Sequence, residues 1–123
     1  MSARRAVLHL QEMQDMADWA CRFCHGMDRE QFLEDQKTRQ ACLFTLLIIG
    51  DCAARILQEH RSFAERFPGI PWPNMKGMRN HIVRGFATLN VDTIWATLEH
   101  AVPALMIMLP DAIAEAATED PGI

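Results

Sequence analysis

Three short stretches of the chain bring together side chains that could do chemistry. The first is Gly77-Met-Arg-Asn-His-Ile-Val-Arg-Gly-Phe86, whose Arg79 and Arg84 form, with the preceding Lys76, a local basic patch able to face phosphate. The second, Cys21-Arg-Phe-Cys-His25, matches the five-residue pattern for covalent c-type haem attachment. Against that reading, such attachment belongs to exported proteins, and both thiols also fit the apolar face of a helix. A zinc site there needs two further soft ligands at tight spacing, whereas Cys42 and Cys52 are ten residues apart on another element. Thiol redox chemistry favours a helix N-terminus, and this pair falls at a helix C-terminus. The third group is His60, five residues after Arg55, together with Glu99-His100. Neither place supplies a nucleophile, an orienting partner and a pocket together, so both read as solvated surface. The expectation is therefore no metal and no cofactor, with Gly77 to Phe86 as the functional centre.

These residues must be positioned by helices. Ala6, Leu10, Met13, Met16, Ala17, Ala20 and Cys24 recur at three- and four-residue spacing, which predicts a helix from about Arg4 to His25, ended by Gly26. Asp28 caps a short helix through Phe32 and Leu33, and a long helix follows from about Asp35 to His60. That helix is apolar nearly all round between Ala41 and Ile49, as suits the spine of the fold. Phe63 and Phe67 mark a short amphipathic turn, and the prolines of Pro68-Gly-Ile-Pro-Trp-Pro73 stop regular structure.

The helical pattern resumes from about Asn74 to Ala87 through Met75, Met78, Ile82, Val83 and Phe86. Asn90-Val-Asp92 looks like a cap for a last helix striped by Ile94, Trp95, Leu98, Val102, Leu105 and Leu109. Pro103 is expected to kink it, and Pro110 to begin a frayed tail over residues 110–123. No strand-like alternation, glycine-rich phosphate loop or internal repeat is present. The pattern predicts one all-α domain over residues 1–123, an antiparallel up-and-down bundle of four to five helices.

Composition agrees. The 123 residues are 50% hydrophobic and 23% charged, enough to bury a core without a metal or disulfide staple. The net charge of -4 argues against broad, charge-driven nucleic-acid binding and leaves the local basic patch as the route to phosphate. Ala6 to Leu10 is too short and too interrupted, by His9 and Gln11, for a secretory segment. The longest apolar run, Ala41 to Gly50, falls short of the roughly 20 residues that span a bilayer. A cytoplasmic protein without membrane contact is expected, its four cysteines remaining thiols.

Ile70-Pro-Trp-Pro73, Gly77-Met-Arg-Asn80, the branched pair Ile82-Val83, Gly85 and an aromatic at position 86 together resemble the signature of HepT-like proteins in the HEPN superfamily. The supporting order runs from Phe32-Leu33 through Ile48-Ile-Gly-Asp51 to Val91-Asp-Thr-Ile-Trp95 and Val102-Pro-Ala-Leu105, so the resemblance covers roughly Arg4 to Leu109. It implies a helical bundle that forms a homodimer, with an Arg-x4-His motif from each subunit facing the other across a composite cleft. It also implies a metal-independent ribonuclease acting on RNA, a toxin held in check by a minimal nucleotidyltransferase antitoxin. In that chemistry the histidine moves a proton at the attacking 2'-hydroxyl or the leaving oxygen, while the arginine steadies the phosphorane.

Carried across residue by residue, the resemblance puts the motif arginine on Arg79 and its polar neighbour on Asn80, but its histidine falls on Arg84. The tyrosine expected two residues later is Phe86, and the chain holds no tyrosine, so a tyrosine-directed modification has no target. Arg84 can hold phosphate but cannot exchange a proton near neutral pH. His81 is the available substitute, about 60° from Arg84 around the helix. The site expected from sequence is thus Arg79, Asn80, His81 and Arg84, serving either a ribonuclease or a non-catalytic module that engages the nucleotidyltransferase.

Overall fold

The computed structural model describes residues 4–85 and 88–119 and contains no strand among them. Among the described residues seven α-helical segments are present: α1 (Ala6–Phe23), α2 (Arg29–Glu34), α3 (Gln36–Glu59), α4 (Arg61–Glu65), α5 (Trp72–Arg84), α6 (Val91–Ala96) and α7 (Val102–Glu119). A π-helical turn, Thr97–Ala101, joins α6 to α7 in one continuous rod. Four long elements therefore make the bundle, with α2 and α4 as short connectors, as the sequence pattern predicts.

Side-chain caps start three of these helices. The Asp28 carboxylate accepts from the Gln31 backbone N–H at 2.8 Å, and the Gln31 side chain accepts from the Asp28 N–H at 2.9 Å, a reciprocal box. Asp35 accepts from the Thr38 N–H at 3.0 Å, and that hydrogen bond holds its carboxyl below the ordinary carboxylate value. Asn90 accepts from the N–H groups of Asp92 and Thr93 to open α6. After α1, Gly26 turns the chain with φ +76°, a left-handed conformation in which a Cβ would be strained.

The core sits around α3, which packs against α5 on one side and α1 on the other, while α1 also meets α7. Cys42, Leu46, Ile49, Cys52, Ala53 and Ile56 give α3 its buried face. Against them lie Leu10, Met13, Ala17 and Ala20 of α1, and Leu105, Leu109, Ala112 and Ala116 of α7, which packs on α1, complete the core.

Three expectations need correction. Helix α5 begins at Trp72 rather than after Pro73, because proline in the first turn has no N–H to lose and Trp72 is anchored in the core. The indole N–H of Trp72 reaches the carbonyls of Ala64 at 3.1 Å and Phe67 at 3.2 Å. The tail expected to fray from Pro110 is instead helical through Glu119. Pro110 faces solvent, Ala112 and Ala116 are buried, and Arg66 pairs with Glu115 at 3.4 Å and with Glu119. Residues 120–123 lie outside the described residues.

The third correction concerns membrane-length segments. Gln36–Glu59 and the rod Val91–Glu119 are both long and apolar enough to cross a bilayer by length and composition. In α3 that apolar length serves burial by α1 and α5. Before Pro103 the rod widens rather than breaks: the Val102 N–H bonds the Thr97 carbonyl, a five-residue spacing, just ahead of the residue that has no N–H to give.

Candidate functional site

The close approach of α3 and α5 fixes the first site residue. A Cβ at Gly50 would stand 2.4 Å from Arg79 Cβ and 2.5 Å from the Met75 carbonyl oxygen, so only glycine lets α5 lie this near. The next residue of α3, Asp51, then meets the Arg79 guanidinium: Arg79 Nη1 donates to Asp51 Oδ1 at 3.4 Å. Arg79 is half-buried, its side chain 27% exposed, while Asp51 is nearly half exposed. The Arg79 Nε–H is buried and has no hydrogen-bond partner among the described residues. An N–H in that position carries a desolvation cost that an arriving acceptor oxygen would remove. Asp51 also reaches the other way, with Oδ2 3.9 Å from Arg55 Nε one turn further along α3.

The remaining site residues lie on other faces of α5. Asn80 is half-buried, and its carbonyl accepts from Arg84 Nε at 3.4 Å, so Arg84 folds back along its own helix while staying exposed. His81 is exposed and borders a cavity of about 200 Å³ shared with Asn74, Met78, Asn90 and Thr93. At about 100° per residue, Arg79 and His81 are about 160° apart around the axis, which puts them on nearly opposite sides of the helix. The structure thus brings Arg79 to α3 and Asp51, Arg84 to the Asn80 carbonyl, and His81 to the start of α6. It does not gather Arg79 and His81 at one point of one chain. Phe86 lies outside the described residues.

The other candidate stretches have ordinary partners. Cys21 Sγ–H points to Met106 Sδ at 3.5 Å, and Cys24 donates to the Ala20 carbonyl at 3.2 Å. Burial pushes both thiols up from their ordinary value, and pushes Cys42 and Cys52 to about 12, so none is an activated nucleophile. Among the described residues no three His, Cys, Asp or Glu side chains converge as a metal site would require. Glu99 and His100 pair with each other at 3.0 Å in solvent, and His60 Nε2 lies 2.7 Å from the Arg4 carbonyl oxygen.

Two residues that bear on the site are not singled out by the sequence. Asp51 is legible only once α3 and α5 are paired; its signal is the preceding glycine on an otherwise crowded apolar helix. His9 sits within the apolar stripe of α1, buried, with Nε2 unpartnered and 3.8 Å from Glu59 Oε2. Burial is the largest influence holding its imidazole below the ordinary value, with the Arg4 charge next.

Comparison with known proteins agrees with this framework. The family described as Ribonuclease HepT-like matches residues 13–111. A protein of Methanocaldococcus jannaschii, provisionally named an RNase, is 27% identical over 118 residues, covering 94% of this chain and 92% of its own length. A second from the same organism, also provisionally an RNase, is 27% identical over 105 residues, 85% of this chain and 94% of its own. A Thermococcus cleftensis protein whose name assigns it provisionally as ribonuclease HepT is 28% identical over 97 residues, 79% of this chain and 86% of its own. No solved structure matches the chain at a significant level. With the family profile matched across α1 to α7, the chain belongs to the HepT-like ribonuclease family.

Proposed function

We propose that this chain is the toxin subunit of a two-component toxin-antitoxin system, cleaving RNA in the cytoplasm as a homodimer and neutralised by a minimal nucleotidyltransferase. The observation that carries the reading is Arg79. It is a half-buried guanidinium aligned by Asp51, with a buried Nε–H left without an acceptor among the described residues. Phosphate oxygens are the acceptors such a fork fits, and fixed positive charge stabilises a phosphorane best where water is partly excluded. In the reaction, the 2'-oxygen attacks the adjacent phosphorus and the bond to the 5'-oxygen breaks. One proton leaves the 2'-hydroxyl and one reaches the departing 5'-oxygen, without a metal.

His81 is the proton carrier in this proposal. Because it lies on the far side of α5 from Arg79, the two meet only if two copies of the helix face each other, one giving the arginine and the other the histidine. Arg84 adds charge beside Asn80 and carries no proton. The experiment is incubation of the purified protein, free of any partner, with tRNA and mRNA across neutral pH. Cut products that disappear in Arg79→Ala support the proposal; intact RNA with both proteins rejects it.

A second reading is favoured by one observation, the exposed Arg84 at the position where the family resemblance expects a histidine. In that reading the chain is a binding module that engages the nucleotidyltransferase and leaves RNA uncut. A stable complex with the partner, combined with no cleavage by either the wild type or Arg84→His, is its signature.

A further inference from the structure

Beside Arg79, on the other side of Asp51, α1 and α3 enclose a second polar cavity of about 400 Å³. Arg4, His9, Glu12, Asp51, Arg55 and Glu59 line it. Its size falls in the roughly 300–1,000 Å³ range of small-ligand pockets. The side chains around its mouth are paired: Arg4 Nη1 donates to Glu12 Oε2 at 2.9 Å, and Arg55 lies 3.9 Å from Asp51. Its inner wall is not. His9 is only 4% exposed, and among the described residues its Nε2 has no hydrogen-bond partner although Glu59 Oε2 stands 3.8 Å away, too far for a direct bond. A buried ring nitrogen left unmatched in a polar cavity calls for a group that enters from the open side and reaches both it and Glu59.

The chemistry of that group follows from the lining. Three carboxylates face two guanidiniums, and burial keeps His9 neutral, so the cavity holds a surplus of hydrogen-bond acceptors. A ligand that fits must bring N–H donors on a flat edge. Its position narrows the class further, because Asp51 touches Arg79 with Oδ1 and borders this cavity as well, so a phosphate at Arg79 and a base in the cavity can belong to one strand. Single-stranded RNA is read by splaying bases into pockets, where their Watson–Crick edges are hydrogen-bonded and arginine planes stack on them.

Among the four bases, guanine alone presents an imino N–H beside an amino group, two adjacent donors suited to carboxylate acceptors. We infer that this cavity receives a guanine base of the RNA held at Arg79, with Glu59 and Glu12 accepting from its N1–H and N2 amino group, His9 at the inner wall, and Arg55 or Arg4 against its face. The inference rests on the reading of this chain as an RNA-engaging subunit.

The test uses the full chain and cleavage-resistant 2'-O-methyl uridine hexamers carrying one central guanosine, inosine or adenosine, with binding read by fluorescence anisotropy. Guanosine is expected to bind about tenfold tighter than adenosine, the scale of one good bidentate base contact. Inosine, which lacks the 2-amino group, should fall between them. Glu59→Gln and Glu12→Gln should bring the guanosine hexamer down to the adenosine level and leave the adenosine hexamer unchanged. Arg79→Ala should weaken all three alike, as loss of a phosphate contact does. Equal affinities for the three hexamers, or a guanosine preference that survives both glutamate substitutions, overturn the pocket while an Arg79 effect keeps the RNA reading intact. If no hexamer binds, the RNA reading and the pocket fall together.

Discussion

The two sides of helix α5 are built in opposite ways. One side presses on α3 so closely that Gly50 has no room for a methyl group, and it delivers Arg79 to Asp51 with part of the guanidinium already buried. The other side carries His81 and Arg84 into solvent, where Gly77 has nothing within 4 Å of the place a Cβ would occupy. Val83 is 66% exposed, an apolar side chain that packing within the chain leaves open. The difference teaches that the chain by itself orders the charge that would hold a phosphate but not the group that would move a proton. Positioning of the second must come from outside the chain, which is why the proposed chemistry is assigned to a pair of subunits.

The largest effect that could break this comparison is at the seam. Gly50→Val inserts branched carbon where backbone and Arg79 Cβ already stand, and overpacking of this kind costs roughly 1–3 kcal/mol or more. We expect a lowered thermal midpoint by circular dichroism, together with loss of RNA binding because Arg79 is displaced. Asp51→Asn comes next. It keeps the shape but removes the charge that aligns the guanidinium, so RNA cleavage should fall about tenfold or more while the thermal midpoint changes little. An unchanged rate would mean that Arg79 needs no alignment.

A pH titration extends the comparison to the α1 side of α3, across Asp51 from the seam. His9 is held below its ordinary value of 6.5 by burial, and the charged or titratable groups around it are Arg4, Glu12, Glu59 and His60. The unfolded chain therefore takes up this proton before the folded chain does. The stability contributed by neutral His9 is fully present above pH 6.5 and is lost as pH falls through the lower folded value. Denaturant midpoints should drop between pH 7 and pH 5, and His9→Gln should flatten that slope; an equal slope in the variant removes His9 from the account. The smallest expected effect is on the open side of α5, where Gly77→Ala should stabilise the helix by roughly 0.5–1 kcal/mol without touching RNA binding.

Much of the fold is legible in the sequence because it rests on periodicity and caps. The stripes of α1 and α3, the Asp28 carboxylate and the Asn90 cap lie where the pattern places them. What the pattern misses depends on contacts distant in sequence. Pro110 reads locally as an end, yet burial of Ala112 and Ala116 with the Arg66 ion pairs carries α7 to Glu119. At the site, Arg79 and Arg84 are legible through the family resemblance, while Asp51 is found only by laying α5 on α3. His9 reads as a polar interruption of Ala6 to Leu10; only the tertiary structure shows it buried beside Glu59 with an unmatched nitrogen.

Residue 84 is a further lever on the same helix. Arg84→His combined with Phe86→Tyr restores the pattern expected from the family resemblance, and a gain in RNA cleavage or growth inhibition would show a competent scaffold held back by those two positions. No gain would place the limit elsewhere.

The most direct measurement is subunit complementation. Arg79→Ala and His81→Ala proteins are prepared separately, then mixed under conditions that allow subunits to exchange, and RNA cleavage is followed. If each cleft draws its arginine from one chain and its histidine from the other, every mixed dimer rebuilds one intact cleft, and the mixture regains activity that neither parent has. A mixture as inactive as its parents, under conditions where the wild-type protein cleaves, would contradict a site shared between two faces of α5.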